Sequence, residues 1–439
     1  MDQWEFVPFL GKTYRGELTL ADLWAQHNEH RLFFPKLIML GLARLTQWNI
    51  AWEFFTSVVF ALGTFAIVAW QINRTREELG VDKLKWAIPA AALIIFSVCQ
   101  FENWLWGWQL QMLLEMVAMW GAVVLLARSP FRWSAFAGAV ALGIVASYSF
   151  ANGILVWPLG AALLLAVRAN KEQRLAAFAV WLFLGAFTLW WYFRDYQKPA
   201  EHPSLRVFVQ HPITSVGYVL TYLGSFCAQY GNGGIVPDDV YAMIFGVAAP
   251  AILGWSVWTI LRCRVAQLRT LLPYLAMAAY SFGCAVLTCI GRAGFGRHQA
   301  LISRYCTMSA PLWIALAVLL LLIAEANPAA ILRPASTTPT ARKKIALCLV
   351  WAVIAFVGMS SGFSVRPAQE FSINRAHNRL TLLETARHPE EGGNHDNLWG
   401  MYPEPRKVME RYPILMKYHL SVFRDEQTFS SPPEAKEHE

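Results

Sequence analysis

The residues most able to do chemistry lie near the N-terminus, in the sequence TLADLWAQHNEHR that begins at Thr19. Thr19 followed three residues later by Asp22 matches a capping box, which predicts the start of a helix. If that helix continues to the end of the stretch, Asp22 shares one polar face with Glu29. A carboxylate in this setting could act as a general base. The imidazoles and the cation beside it are His27, His30 and Arg31.

Two other interpretations of this stretch stay open. A polar helix face with intrahelical ion pairs is common on solvated helices and needs no catalytic role. His27 and His30, three residues apart, could contribute to a metal site, but the sequence offers no clear third ligand. We therefore predict no cofactor and no metal. Pro35 is expected to break or kink the chain before a second apolar helix over 36–48.

A second group of candidates lies in the sequence GRAGFGRHQALISRY, from Gly291 to Tyr305, between two apolar runs. Guanidinium groups bind phosphate oxygens through two parallel hydrogen bonds, and glycines let the backbone approach a ligand. We therefore expect a phosphate or pyrophosphate site here. The alternative is that the arginines pair with carboxylates such as Glu29 and Glu102, or reach to lipid headgroups. The candidate phosphate-binding residues are Arg292, Arg297, His298 and Arg304.

Aromatic and polar residues alternate in a third stretch, QFENWLWGWQLQ, from Gln100 to Gln111. Its tryptophans suit a membrane interface. Glu102 and Asn103, ringed by indoles, would also suit a sugar, because its apolar C–H face stacks on aromatic rings while its hydroxyls need polar partners. Asn152 adds a further polar group between two apolar runs. The candidate substrate-binding residues are His27, His30, Arg31, Glu102, Asn103, Asn152 and Tyr305.

The elements that position these residues belong to a membrane protein. The chain of 439 residues is 56% hydrophobic and 15% charged, whereas soluble domains average about 25% charged residues. The 20 tryptophans favour membrane interfaces. The net charge of +8 lies in loops between apolar runs, which excludes a nucleic-acid-binding surface. None of the 7 cysteines has CxxC spacing, so neither a zinc ribbon nor a disulfide framework is supported.

The apolar runs predict an all-α, polytopic transmembrane helix bundle, because a span needs about 20 apolar residues. We expect residues 1–49 to form an N-terminal segment with interfacial helices, 50–362 the bundle, and 363–439 a small C-terminal cap and tail. A span upstream of this chain would add an eleventh to the ten that the sequence predicts. The ten are 50–71, 86–101, 110–127, 134–151, 153–167, 175–193, 240–261, 271–290, 307–325 and 345–362.

Lysines and arginines set the expected orientation, because cytoplasmic loops carry an excess of them. The short loops 102–109 and 151–153 carry none. These loops are therefore expected outside, together with both termini and the loops 194–239 and 291–306. The basic loops, expected to be cytoplasmic, are 72–85, 128–133, 168–174, 262–270 and 326–344.

Residues 212–230 are apolar enough to cross the membrane. A crossing would reverse every later loop and place its arginines outside, so we expect an interfacial or re-entrant helix instead. Just after it, Asp238 and Asp239 could bind a divalent cation. Adjacent side chains point apart, however, and we interpret the pair as the N-cap of the next span.

In these respects the chain resembles a bacterial branch of the integral-membrane GT-C glycosyltransferases. The shared architecture is an outer first segment with an acidic residue, many spans and a C-terminal outer cap. The motifs that carry the resemblance are TLADLWAQHNEHRLFFPKLI, SYSFANGILVWPLG and ISRY. This sequence departs from the family in lacking the usual first span and an Asp-x-Asp in the first segment.

The resemblance implies transfer of a sugar from a polyprenyl-phosphate-linked donor to a glycan or lipid acceptor. The reaction would take place on the outer face of the bacterial inner membrane. Carried over, the role of the base that activates the acceptor falls to Glu29, with Asp22 as second choice. The lipid phosphate would be held by Arg304, or by Arg292 or Arg297.

Two other functions stay open. An O-antigen ligase-like or polymerase-like enzyme also joins lipid-linked glycans outside the cytoplasm, but would present one large central outer loop. A transporter or flippase of lipid-linked glycans would show internal repeats and broken helices near the middle of the membrane. The sequence has no convincing repeat.

Overall fold

The computed structural model describes residues 2–128, 130–166, 169–199, 203, 206–229, 237–325, 339–387 and 398–424 of the chain. Within these ranges the regular elements are helices, and one isolated bridge joins His27 and His30. Eight helices in the described ranges are long and apolar enough to cross a membrane. The prediction of an all-α, multi-pass membrane bundle is confirmed. The expected tail at the end of the chain lies outside the described residues.

The helices follow one another along the chain with short 3₁₀ turns between several of them. The N-terminal segment holds α1 (Val7–Arg15), α2 (Leu20–Trp24) and α3 (Phe33–Thr46). The first half of the bundle holds α4 (Ala51–Leu79), α5 (Ala87–Ile95), α6 (Phe101–Leu105), α7 (Leu110–Leu126), α8 (Trp133–Ser147), α9 (Val156–Ala166) and α10 (Lys171–Phe193). The rest comprises α11 (Arg206–Gln210), α12 (Pro212–Gly224), α13 (Asp238–Arg262), α14 (Leu268–Arg292), α15 (Cys306–Glu325), α16 (Pro339–Phe363), α17 (Val365–Arg387) and α18 (Pro405–Lys417).

Each of the ten predicted spans falls on an apolar helical segment. Two of the segments, Trp133–Ser147 and Ala151–Ala166, are shorter than the eight that meet the length expected of a span. The residues between them, Tyr148, Ser149 and Phe150, are buried rather than solvated. The fourth and fifth predicted spans therefore form a tight helical hairpin against the bundle.

The core of the bundle is built around α15, because this helix is apolar on all sides. Every residue of its most apolar window is buried, as are 89% of those in α7. Only 28% of the corresponding windows of α10 and α13 are buried, which fits helices that face lipid. Inside the bundle, Glu115 of α7 accepts a hydrogen bond from the Tyr280 hydroxyl at 2.6 Å. This intramembrane carboxyl thus faces the bundle interior, where it has a polar partner.

The described loops rich in lysine and arginine meet at one end of the bundle. Lys83 Nζ lies 3.2 Å from Glu325 Oε2, and Thr270 Oγ1 donates to Glu78 Oε1 at 2.9 Å. We call this end the basic face; its cations include Arg76, Lys83, Arg262, Arg264 and Arg342. Arg168 and Arg333 of the same predicted loops lie outside the described residues.

The opposite end of the bundle contacts residues 2–49, and we call it the N-terminal face. Gln26 Nε2 donates to the carbonyl of Gln197 at 2.6 Å, and the amide of Phe34 donates to the carbonyl of Tyr148 at 3.3 Å. The two sets of loops that the charge rule separates therefore lie at opposite ends of the bundle.

Helix α12 enters the bundle from the N-terminal face, and its end reaches Trp313 of α15, whose Nε1 donates to the Leu223 carbonyl at 3.0 Å. The 13 residues of α12 rise only about 20 Å. Ser215 accepts a hydrogen bond from Cys289 near the end of α14, and the following Gln229 donates its amide to Ser360 near the end of α16. Both contacts are at ends of spans on the N-terminal face, as expected of a helix that does not cross the membrane.

The N-terminal segment and the C-terminal cap share one hydrophobic core. Phe6 and Leu10 of the segment are buried together with Val408 and Leu415 of the cap. At the edge of this core, Glu5 accepts a hydrogen bond from Arg411 Nη2 at 3.1 Å and another from the Tyr402 hydroxyl. The two ends of the chain thus form a single layer over the N-terminal face.

The helix predicted from Thr19 to Arg31 is wrong beyond Trp24. The capping box forms as expected, with Thr19 Oγ1 accepting from the Asp22 amide. After Trp24 the chain turns, because Asn28 adopts a φ of 49° and the backbones of His27 and His30 pair at 2.9 Å. Asp22 and Glu29 therefore do not share a helix face. Nor does Pro35 break a helix: it lies in the first turn of α3, where its missing N–H costs nothing.

Candidate functional site

Glu29 meets Arg292 at the N-terminal face. Arg292 is the last residue of α14, and its Nη2 donates to Glu29 Oε1. The hydroxyl of Tyr192 fixes the backbone beside the carboxylate by donating to the Glu29 carbonyl at 2.7 Å. The Glu29 and Arg292 side chains are 24% and 17% exposed, so the pair is shielded but reachable from outside.

The two histidines hold the turn that presents Glu29. His30 Nδ1 accepts a hydrogen bond from the Ala151 amide at 3.2 Å, and its ring stacks on Phe150 with centroids 4.1 Å apart. The His27 ring packs edge-on against Trp108 at 4.8 Å. His30 Nε2 therefore lies 3.7 Å from Glu29 Oε1. The His27 ring instead contacts Trp108.

Arg31 closes the base of the same turn. Its guanidinium donates to the carbonyls of Trp24 at 3.0 Å, Tyr192 at 3.2 Å and Arg194 at 2.6 Å. It is 5% exposed. These bonds satisfy carbonyls at the ends of α2 and α10, so Arg31 positions the turn instead of facing a ligand.

A second acid–arginine pair joins Glu102 and Arg304. Arg304 Nη1 lies 3.3 Å from Glu102 Oε1. The other carboxylate oxygen accepts from Ser303 Oγ and from the Arg304 amide, both at 3.1 Å. Asn103 supports the same turn by donating to the Arg304 carbonyl at 2.9 Å. The predicted residues Glu102, Asn103 and Arg304 are thus brought together.

Two tyrosines lie near the arginines of both pairs. Tyr218 of α12 is close enough to Arg292, Arg304 and Tyr305 for their charges to act on its phenol. The phenol oxygens of Tyr218 and Tyr305 are buried and make no hydrogen bond within the described part of the chain. Burial is the main cause that raises the pKa of Tyr218, and the neighbouring arginines only partly oppose it. Tyr218 therefore stays protonated and able to donate. We call Tyr218, Arg292, Arg304 and Tyr305 the tyrosine–arginine cluster.

The other predicted phosphate-binding residues lie elsewhere. Arg297 Nε donates to Asp239 Oδ2 at 2.8 Å, and His298 is exposed. Asp239 is therefore an ion-pair partner, and the predicted N-cap role of Asp238 and Asp239 is wrong, because Pro237 occupies that position and no side chain caps the helix. Each of the three arginines thus has a carboxylate partner, which is the alternative that the sequence left open.

Asp22, the second choice for the base, belongs to a different local structure. Lys12 Nζ lies 2.6 Å from Asp22 Oδ1. Hydrogen bonds from Lys12 and then from Thr19 hold the pKa of Asp22 well below its usual range. Lys36 donates to the carbonyls that end α2, and burial lowers its pKa to about 8. A carboxylate that accepts hydrogen bonds from a lysine and from the capping residue of a helix is a poor proton acceptor.

Asn152 also lies apart from the cluster. Its side chain is buried beside Cys284 of α14. It lies where the α8–α9 hairpin packs against α14, and its role in substrate binding stays a prediction.

Tyr218 was not among the residues predicted for the site. Tyr218 and Tyr222 are four residues apart in α12 and share one face of the helix. The Tyr222 and Tyr305 rings lie 5.3 Å apart. The sequence feature that could have indicated Tyr218 is this pair of tyrosines in residues 212–230, an apolar stretch that was not expected to cross the membrane.

The tyrosine–arginine cluster has the chemistry of an oxyanion site. Two guanidinium groups supply charge and two buried phenols supply hydrogen-bond donors. Glu29 adjoins it through Arg292 and supplies a carboxylate that can accept a proton. Within the described ranges, no group of three or more His, Cys, Asp or Glu side chains is placed to hold a metal ion.

The chain matches no protein-family model, no curated protein and no solved structure.

Proposed function

We propose that the protein is a glycosyltransferase that moves a sugar from a polyprenyl-phosphate-linked donor to a glycan or lipid acceptor. The reaction takes place at the N-terminal face, on the outer side of a bacterial inner membrane. The observation that carries the proposal is the tyrosine–arginine cluster beside Glu29. It joins donors suited to a phosphate with a carboxylate suited to a base, at the end of a membrane bundle that a lipid-linked substrate can reach.

In this proposal the lipid phosphate of the donor binds to Arg292 and Arg304. The acceptor hydroxyl loses its proton to the Glu29 carboxylate, and its oxygen forms a bond to the anomeric carbon of the sugar. The bond from that carbon to the phosphate oxygen breaks, and the oxygen keeps the electron pair. The negative charge that builds on the leaving phosphate is stabilised by the two guanidiniums and by the phenols of Tyr218 and Tyr305. Attack from the face opposite the phosphate inverts the anomeric centre.

The pairing of Glu29 with Arg292 then controls when Glu29 can act as a base. While Arg292 donates to Glu29 Oε1, the carboxylate is a weaker base because its negative charge is compensated. A phosphate that binds the same guanidinium competes with Glu29 for it. Donor binding thus loosens the pair and makes the base available when there is a sugar to transfer.

The proposal is tested by donor binding to purified Arg304→Ala and Arg292→Ala proteins. Loss of one charge-assisted hydrogen bond costs about 1.5–3 kcal/mol, so each variant should bind a polyprenyl-phosphate sugar roughly ten- to a hundredfold more weakly. Arg366→Ala is the matched control, because Arg366 is 87% exposed and pairs with Glu370 on α17. Wild-type donor affinity in folded Arg304→Ala and Arg292→Ala proteins would contradict the proposal.

A further inference from the structure

A cavity of about 170 Å³ lies between the N-terminal segment and the C-terminal cap. Trp4 and Trp48 line it from the segment, and Arg375 and Arg379 line it from α17. Arg379 is exposed, whereas Trp48 is 3% exposed, so the cavity runs from the surface into the layer.

The charged side chains that line the cavity are positive. Among its described lining residues Arg375 and Arg379 are charged, and none is a carboxylate. The guanidinium of Arg375 packs over Phe371, 4.7 Å from the ring centre, which holds its plane in place. Glu102 and Glu53 act on Arg375 from outside the cavity, but the side chains at the wall itself are positive, which favours an anionic ligand.

Hydrogen bonds to groups outside the cavity fix several of its lining side chains. Glu53 is buried outside the cavity, and it accepts hydrogen bonds from Gln3 Nε2 at 2.8 Å and from Trp48 Nε1 at 3.0 Å. Asn378, another lining residue, donates to the carbonyl of Gly400 at 2.8 Å. Lining groups fixed by such bonds lose little conformational entropy when a ligand binds.

The size and the aromatic wall suit a six-membered ring. An apolar cavity of about 150 Å³ is known to hold benzene, so this one has room for a ring with a substituent. Indole faces stack on the apolar C–H face of a sugar, and the arginines can bind a carboxylate or a phosphate through two hydrogen bonds.

We propose that this cavity is a binding site for a sugar ring that carries one anionic group, a carboxylate or a phosphate. The tryptophans contact the ring, and Arg375 and Arg379 bind the anion. The site adjoins the tyrosine–arginine cluster, because the guanidiniums of Arg375 and Arg304 both lie 5.8 Å from the Trp106 ring centre. Its ligand is bound by different residues, and binding there does not depend on the transfer reaction proposed above.

The test measures binding of three probes to the purified full-length protein by calorimetry: glucuronate, glucose 6-phosphate and glucose. At least one of the two anionic probes should bind tenfold or more tightly than glucose. Arg379→Gln should weaken its binding roughly ten- to a hundredfold and leave glucose unchanged. Because Arg379 is exposed, this variant should fold even if Arg375→Gln does not.

Two further variants separate the ring from the charge. Trp4→Leu should weaken all three probes, because it removes ring contact. Arg366→Gln, an exposed change on the same helix as Arg379, should weaken none of them. Preference for one anionic probe identifies the charged group and supports the proposal. Equal affinity for glucose, an unaffected Arg379→Gln protein, or no binding of any probe would overturn it.

Discussion

At the scale of single residues, the sequence named the three arginines and two of their carboxylate partners, Glu29 and Glu102, but not which acid pairs with which arginine. Arg292, Arg304 and Arg297 pair with acids that are 263, 202 and 58 positions away along the chain. Residue type and spacing predict that arginines in a glycine-rich loop can bind a phosphate. Which carboxylate reaches each guanidinium depends on how distant helices pack, and the local sequence does not determine that packing.

The ion pair between the two ends of the chain predicts a pH effect on stability. Burial would raise the pKa of Glu5, but hydrogen bonds from Arg411 and Tyr402 and the charges of Arg411 and Lys407 lower it below its ordinary value of 4.5. A carboxyl with a lowered folded pKa stabilises the fold fully above about pH 4.5, and this contribution is lost as the pH falls through the lowered value.

We therefore expect acid to loosen the cap. The protection of α18 amides against hydrogen exchange, relative to the intrinsic rate at each pH, should fall from pH 5 to pH 3. It should fall more in the wild type than in Glu5→Gln, where the contribution is already absent. The same pH profile in both proteins would show that the pair does not hold the cap.

At the scale of elements, the apolar runs predicted the helices of the bundle. The sequence did not predict the turn that carries Glu29. All ten apolar segments were located from composition. The chain between Trp24 and Phe33 instead follows tertiary contacts, such as those of Arg31 with three backbone carbonyls and of Gln26 with Gln197. A capping box predicts where a helix begins, but here long-range bonds determine where it ends.

The close crossing of α12 and α13 gives a prediction for two glycines in one helix. A Cβ added at Gly246 would lie 1.8 Å from the carbonyl oxygen of Leu220, whereas one at Gly254 would meet nothing within 4 Å. Gly246→Ala should force α12 away and destabilise the protein by about 1–3 kcal/mol or more. It should also weaken donor binding, because α12 carries Tyr218.

Gly254→Ala serves as the control on the same helix. It should be neutral or stabilising by up to about 1 kcal/mol, because alanine favours a helix. Thermal melting of the two purified variants checks the difference. Equal melting temperatures would show that the crossing tolerates a side chain.

At the scale of the whole molecule, the basic loops collect at one end of the bundle and the candidate site at the other. The charge rule predicts that the basic face is cytoplasmic. Asp195, whose side chain is 89% exposed, lies on the N-terminal face, and exposed Lys344 lies at the start of α16 on the basic face.

Cysteine labelling in intact cells tests this orientation. In a background where the exposed Cys348 is serine, a membrane-impermeant maleimide should label a cysteine at position 195. It should label one at position 344 only after the cells are permeabilised. Labelling of both positions in intact cells, or of neither, would contradict the topology.

The most direct test of the central claim is sugar transfer by Glu29→Gln, measured alongside donor binding. The substitution keeps size and hydrogen bonding but removes the proton-accepting carboxylate. If Glu29 is the base, transfer should fall by roughly 10²–10⁴. Donor affinity should be kept or rise, because Arg292 loses the charged carboxylate that competes with the phosphate. EDTA should have no effect, and His27→Ala should be milder because its ring packs against Trp108. Wild-type transfer by Glu29→Gln would contradict the account.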